Sequence, residues 1–118
     1  MKTNRRYQQL VVWQKAMELV KEVYQLTMAF PETEKFGFVT QMRRASVSLP
    51  SNIAEGAGRG TDKDFSRFLK IARGSLFELE TQIEIAERLG LVIPTKALIE
   101  RMEHVFALLN NLIKKLTA

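Results

Sequence analysis

The longest regular pattern in the chain is TDKDFSRFLKIARGSLFELETQIEIAERLG, residues 61–90. Its apolar residues recur alternately four and three positions apart, which is the repeat of one face of an α-helix. They are Phe65, Leu69, Ala72, Leu76, Leu79, Ile83 and Ala86. Thr61 precedes two acidic residues, as at a typical helix start, and Gly90 is a typical helix stop. The pattern therefore predicts one amphipathic helix about 40 Å long.

Three further segments show the same helical repeat, at residues 9–29, at residues 37–57 and from Pro94 onwards. The first predicts a buried stripe formed by Trp13, Ala16, Met17, Val20, Val23, Tyr24 and Thr27. The last carries a heptad seam formed by Leu98, Met102, Val105, Leu109, Leu112 and Leu116. Four long amphipathic helices with short connections predict an all-α protein, an antiparallel up-and-down four-helix bundle.

The second of these helices contains a proline, Pro50, among apolar residues that share one face. A proline inside a helix removes one backbone hydrogen bond and clashes with the carbonyl four residues earlier, here that of Ser46. Because the apolar register continues across the proline, we expect one helix kinked at Pro50. Two shorter helices that are split at Pro50 are the alternative.

Length and composition favour a single domain over residues 1–118. The chain has 46% hydrophobic residues and a net charge of +5, which are ordinary values for one globular core. It contains no cysteine, so disulfides and thiolate metal sites are excluded and a cytoplasmic location is expected. No run of apolar residues is long enough for the core of a signal peptide or for a membrane-spanning helix, so no membrane contact is expected.

The patterns of common catalytic and metal sites are missing from the sequence. The single histidine is His104, and Arg101 stands where a Glu-x-x-His motif requires glutamate. The glycine-rich run at residues 56–60 lacks the preceding strand, the lysine and the hydroxyl of a phosphate-binding P-loop. It predicts an inter-helix turn. We expect no catalytic residue, no metal and no cofactor.

Ser48, Asn52 and Glu55 form a polar line beside the apolar face of the second helix. Because buried polar groups must find hydrogen-bond partners, this line predicts a structural motif that bonds neighbouring helices and the backbone freed by the proline. A ligand or partner site lined by these groups is the alternative. Gly56 and Gly74 lie within helical patterns, where glycine is costly, and predict close approaches of another helix.

Charge is distributed unevenly along the third helix. Residues 59–73 carry a net charge of +3 and residues 74–88 a net charge of −3, which is the opposite of what the helix dipole favours. Together with the preceding helix, this gives seven candidate nucleic-acid-binding cations, which are Arg43, Arg44, Arg59, Lys63, Arg67, Lys70 and Arg73. Three explanations stay open: a solvated surface with some ion pairs, pairing with the acidic half of another subunit's helix, and contact with nucleic-acid phosphates.

Three large apolar residues leave the buried seam of the third helix, namely Ile71, Phe77 and Ile85. Large apolar groups in exposed positions predict contacts between helices of different subunits. For Phe77, an isolated outward side chain without such a role is the alternative.

Two runs, residues 41–56 and 68–82, resemble the signature of a bacterial family, the four helix bundle proteins or 23S rRNA intervening-sequence proteins. They read QMRRASVSLPSNIAEG and FLKIARGSLFELETQ. The match extends over nearly the whole chain through Trp13, Ala16, Val23, Tyr24, Phe30 and Pro31.

The resemblance implies a small helical bundle that assembles as a ring, typically a homopentamer. Some relatives are encoded inside insertions of large-subunit ribosomal RNA genes. The fold is similar to that of the accessory variability protein of diversity-generating retroelements. Binding of nucleic acid and of a reverse transcriptase through a basic surface is attributed to that protein.

These observations together predict a non-enzymatic, basic, oligomeric bundle of the bacterial cytoplasm that binds RNA or other nucleic acid. Because hardly any aromatic residue interleaves with the cations, binding without sequence readout is expected. The alternative is a protein-interaction scaffold whose ring recruits another protein, in which case the basic residues serve subunit contacts.

Overall fold

The computed structural model describes residues 1–118 and contains four α-helices and no strand. The helices are α1 (Val11–Met28), α2 (Thr40–Ala57), α3 (Asp62–Arg88) and α4 (Lys96–Thr117). Each helix packs against the next one along the chain, and α4 packs against α1. This closed order is that of an up-and-down bundle, so the predicted all-α fold is confirmed. None of the helices combines the length and the apolar character needed to cross a bilayer.

The helix ends follow from capping residues. Thr61 Oγ1 accepts a hydrogen bond from the Asp64 N–H at 3.2 Å, and Thr95 Oγ1 accepts one from the Leu98 N–H at 3.1 Å. Each hydroxyl satisfies a backbone donor that the first helical turn leaves free. At the other end of α3, Gly90 adopts a φ of +74°, a left-handed conformation that favours glycine and ends the helix. The start and stop of α3 predicted from the sequence are therefore confirmed.

The second helix is continuous through Pro50 from Thr40 to Ala57, which rules out two shorter helices split at the proline. It begins later than the sequence pattern indicates. Residues Lys35–Val39 form a wider turn instead, because Gly37 has a non-helical backbone with φ −104° and ψ −105°.

The core is one apolar cluster to which all four helices contribute, and it corrects the predicted stripe of α1. Val12 and Leu19 are buried there, whereas Met17 and Tyr24, which were predicted to be buried, are 43% and 39% exposed. The helix is rotated relative to the prediction. Because apolar residues occur on most sides of α1, the repeat alone does not fix which face is buried.

The two glycines within helices have opposite surroundings. A Cβ atom on Gly56 would lie 2.5 Å from Phe68 Cβ and 3.3 Å from the Phe65 carbonyl oxygen, so the end of α2 passes very close to the start of α3. Around Gly74 nothing lies within 4 Å of such a Cβ. The close approach predicted at Gly74 is therefore wrong within this chain, and the one predicted at Gly56 is confirmed.

Candidate functional site

The seven predicted cations do not form one surface. The hydroxyls of Ser48 on α2 and Ser75 on α3 lie 2.9 Å apart and set these two antiparallel helices at a common level. From that level Arg43 lies towards one end of the bundle and Lys63 towards the other. At 1.5 Å per residue, they are about 25 Å apart along the bundle axis. Arg43 and Arg44 therefore lie on the far side of this level from the cations of α3, and their part in nucleic-acid binding stays a prediction.

The Arg43 side chain is engaged in the contact between α1 and α2. Its Nε donates a hydrogen bond to Thr27 Oγ1 at 2.9 Å, and its guanidinium carbon lies 4.4 Å from the centre of the Tyr24 ring. Arg44 is exposed and lies level with the acidic half of α3. Antiparallel packing separates Arg43 and Arg44 from the other cations. This separation cannot be predicted by adding up charges along the sequence.

The remaining five cations occupy the turn before α3 and its first half, and we call them the basic end: Arg59, Lys63, Arg67, Lys70 and Arg73. Phe68 organises two of them. The guanidinium carbons of Arg59 and Arg67 lie 4.8 Å and 4.7 Å from the centre of its ring, so cation–π attraction holds both groups at the same end of the bundle. Phe68 is only 6% exposed, since its ring is packed against the bundle and beneath these groups.

The chain itself neutralises only part of the basic end. Arg59 pairs with Glu55 at 2.9 Å and Arg67 lies 3.8 Å from Asp64, both in exposed positions. The other three cations, Lys63, Lys70 and Arg73, form no ion pair within the chain. Exposed pairs contribute little energy and are easily exchanged for another anion. The basic end therefore keeps a positive charge that is free for an external anion.

The last turns of α4 carry a further cation, Lys114, at the level of the basic end. It is not among the seven cations predicted from the sequence. Arg73 Nη1 donates a hydrogen bond to Asn110 Oδ1 at 2.9 Å, which sets the end of α4 beside the first half of α3. Lys114 follows Asn110 by one helical turn and is exposed. Because α4 runs antiparallel to α3, Lys114 lies at about the level of Lys70 along the bundle axis. In the sequence, only the antiparallel helix directions and the heptad seam of α4 could have indicated that Lys114 lies level with the first half of α3.

The polar line of α2 divides into two parts. Asn52 Nδ2 donates to the Ser48 carbonyl at 2.8 Å and to Ser48 Oγ at 2.9 Å, and Ser48 meets Ser75 on α3. These half-buried groups connect α2 to α3, as a structural motif would. Glu55 is exposed and pairs with Arg59 instead. None of the three side chains bonds the carbonyl that Pro50 leaves free at Ser46, so that part of the expectation is wrong.

The three predicted oligomer-contact residues all lie on the surface of α3. Ile71, Phe77 and Ile85 are 44%, 54% and 43% exposed. The Phe77 ring also packs against Phe106 of α4, with ring centres 4.7 Å apart. A second apolar surface lies on the α1–α2 side of the bundle, where Trp13 contributes to a groove of about 360 Å³. The chain therefore exposes apolar groups on two different sides.

The sequence pattern of one family, described as 23S rRNA-intervening sequence protein, matches residues 8–113. Among solved structures, the chain is similar to a protein of unknown function from Bacteroides thetaiotaomicron VPI-5482, described as a member of the S23 ribosomal protein family. The two share 25% identity with a TM-score of 0.62, and the match covers 90% of this chain and 94% of that one. No curated protein matches the chain.

Proposed function

The chain belongs to the family of 23S rRNA-intervening sequence proteins, and on that premise we propose that it is a non-enzymatic bundle that binds the phosphate backbone of structured RNA or other nucleic acid. The basic end on the first half of α3 is the proposed contact surface. The observation that carries the proposal is the lack of any intrachain carboxylate partner for Lys63, Lys70 and Arg73. Cations that are left unpaired on one surface are the electrostatic footprint of a phosphate-binding protein.

Binding without sequence readout follows from the aromatic residues near the basic end. Base stacking requires an exposed aromatic face. Phe68 is buried beneath two guanidinium groups, and Phe77 packs against Phe106. Phe77 keeps 54% of its surface exposed, but one ring cannot stack successive bases along a strand. The proposed contacts are therefore made to phosphates, which position a nucleic acid without specifying its sequence.

Charge reversal tests this proposal directly. We expect Lys63→Glu combined with Lys70→Glu to weaken binding of a fluorescently labelled RNA hairpin by at least tenfold at low salt, measured by anisotropy. Lys21→Glu combined with Lys96→Glu is the charge-matched control, because both lysines are exposed and lie outside the basic end, on α1 and at the start of α4. It should change the affinity much less. Equal losses from both variants, or no binding by the unmodified protein, would overturn the proposal.

The second candidate function is a protein-interaction scaffold, which the exposed Ile71, Phe77 and Ile85 favour. In this proposal the chain forms a homo-oligomer, by resemblance a homopentamer in the cytoplasm, and the oligomer recruits another protein. The basic half of α3 then pairs with the acidic half in a neighbouring subunit. Light scattering at low and high salt separates the two candidates. Dissociation at high salt favours subunit pairing, whereas an intact oligomer that releases RNA favours nucleic-acid binding.

A further inference from the structure

A cavity of about 460 Å³ lies between the first half of α3 and the end of α4. Its lining is polar apart from Leu116, and three of the lining residues are the cations Lys63, Arg67 and Lys70. The single carboxylate there is Asp64, which lies 3.8 Å from Arg67. A cavity of this size is within the range of small-molecule sites, about 300–1,000 Å³, and its charge selects an anion.

Ser66 provides an observation that is independent of the charges. It lines the same cavity and is 4% exposed, and its hydroxyl is buried without any hydrogen-bond partner. Such groups are rare in folded proteins because a buried donor without an acceptor is unfavourable. Rotation of the side chain about χ1 would turn the hydroxyl from its buried position towards the cavity, where an anion oxygen would accept its hydrogen bond. Charge-assisted hydrogen bonds of this kind are the stronger ones.

The positions of these residues on α3 bring the hydroxyl and two unpaired lysines together. Lys63, Ser66 and Lys70 are spaced by three and four residues along α3, so they lie on one side of the helix, towards α4. Thr117 of α4 lines the cavity from the opposite side. A compact anion with several oxygens offers a separate acceptor to the hydroxyl and to each ammonium group. A phosphate group has this form.

We propose that this cavity is a seat for one phosphate group with free terminal oxygens, such as inorganic phosphate or the phosphate monoester at the end of a nucleic-acid strand. The inference rests on the proposed function for the second of these sources, because the strand would be held by the basic end around the cavity. It goes beyond that function by assigning a defined site to a terminal phosphate. A backbone phosphodiester has only two free oxygens and one negative charge, so it offers fewer acceptors and less charge to these cations than a terminal phosphate does.

The test compares two RNA strands of identical sequence, one with a 5′-phosphate and one with a 5′-hydroxyl. The unmodified protein should bind the phosphorylated strand about tenfold more tightly, and Ser66→Ala should remove this difference while keeping the affinity for the 5′-hydroxyl strand. Ser51→Ala is the matched control, because it removes an exposed hydroxyl on α2 that bonds only the Val47 carbonyl at 2.8 Å. It should keep the difference.

The outcomes distinguish a failure of the proposed phosphate site, the seat, from a failure of the proposed nucleic-acid binding. Equal binding of the two strands, or an unchanged preference in Ser66→Ala, overturns the seat and leaves nucleic-acid binding intact. Failure to bind either strand overturns both. Inorganic phosphate, added at an ionic strength matched with chloride, distinguishes the sources. Displacement of only the 5′-phosphorylated strand supports a seat for phosphate itself, and displacement of both strands to the same extent overturns a distinct seat.

Discussion

Gly56→Ala is expected to destabilise the bundle, because the added methyl group has no space between α2 and α3. Its carbon would lie 2.5 Å from Phe68 Cβ and 3.2 Å from Phe65 Cδ1, where ordinary contacts begin at about 3.5 Å. The first of these atoms cannot move without moving the backbone of α3. The two helices must therefore separate by about 1 Å at this end.

The expected size of the loss combines two opposing effects. Overpacking of a close contact costs about 1–3 kcal/mol, whereas alanine in place of glycine within a helix contributes about 1 kcal/mol in favour of folding. The net loss is then up to about 2 kcal/mol, which lowers the Tm by up to about 8 °C. Phe68 supports the guanidinium groups of Arg59 and Arg67, so nucleic-acid binding should weaken as well.

Gly74→Ala is the matched control, because nothing lies within 4 Å of the position where its Cβ would be. This variant should gain about 1 kcal/mol from helix propensity alone. Urea and thermal unfolding followed by circular dichroism measure both, at one protein concentration because association shifts the apparent stability. The reasoning is refuted if Gly56→Ala is as stable as Gly74→Ala. A loss confined to Gly74→Ala would instead locate a subunit contact on the outer face of α3.

Three further substitutions test the remaining contacts. Ser66→Ala should raise the free energy of unfolding by about 1 kcal/mol, because a buried hydroxyl without a partner is removed; a loss in urea unfolding would mean that the hydroxyl is bonded. Arg101→Ala should cost about 1–2 kcal/mol, since its half-buried guanidinium bonds Glu18 and Glu22 of α1. The exposed Arg88–Glu84 pair is the control, and Arg88→Ala should cost under about 0.5 kcal/mol in the same assay. A double-mutant cycle of Ser48→Ala and Ser75→Ala should give a coupling energy of about 0.5–1.5 kcal/mol, and additive losses would contradict the hydrogen bond between them.

Much of the fold follows from the sequence because the helical repeats are long and clearly bounded. Thr61 and Gly90 mark the ends of α3 as predicted. The buried face of α1 was predicted wrongly, since Met17 and Leu19 are both apolar and only packing against α2 and α4 decides between them. Local spacing does not contain that information.

The candidate site was predicted less completely than the fold, because it depends on contacts between residues that are far apart in the sequence. Lys63 and Lys70 share a helix face, so their spacing alone brings them together. The separation of Arg43 from Lys63 could not be predicted from sequence spacing, because antiparallel packing reverses the direction of α2 relative to α3. Lys114 was missed because its position depends on a neighbour distant in sequence, through the contact between Arg73 and Asn110. Whether Gly74 meets another helix was likewise decided by packing rather than by helix propensity.

The measurement that tests nucleic-acid binding by the basic end most directly is the salt dependence of the binding constant for one duplex. Each phosphate contact that is lost reduces the slope of log K against log salt by about one unit. Lys63→Gln combined with Lys70→Gln should therefore reduce the slope by about two units, while Lys21→Gln leaves it unchanged. An unaltered slope in the double variant would show that these lysines make no phosphate contacts and would contradict the proposed surface.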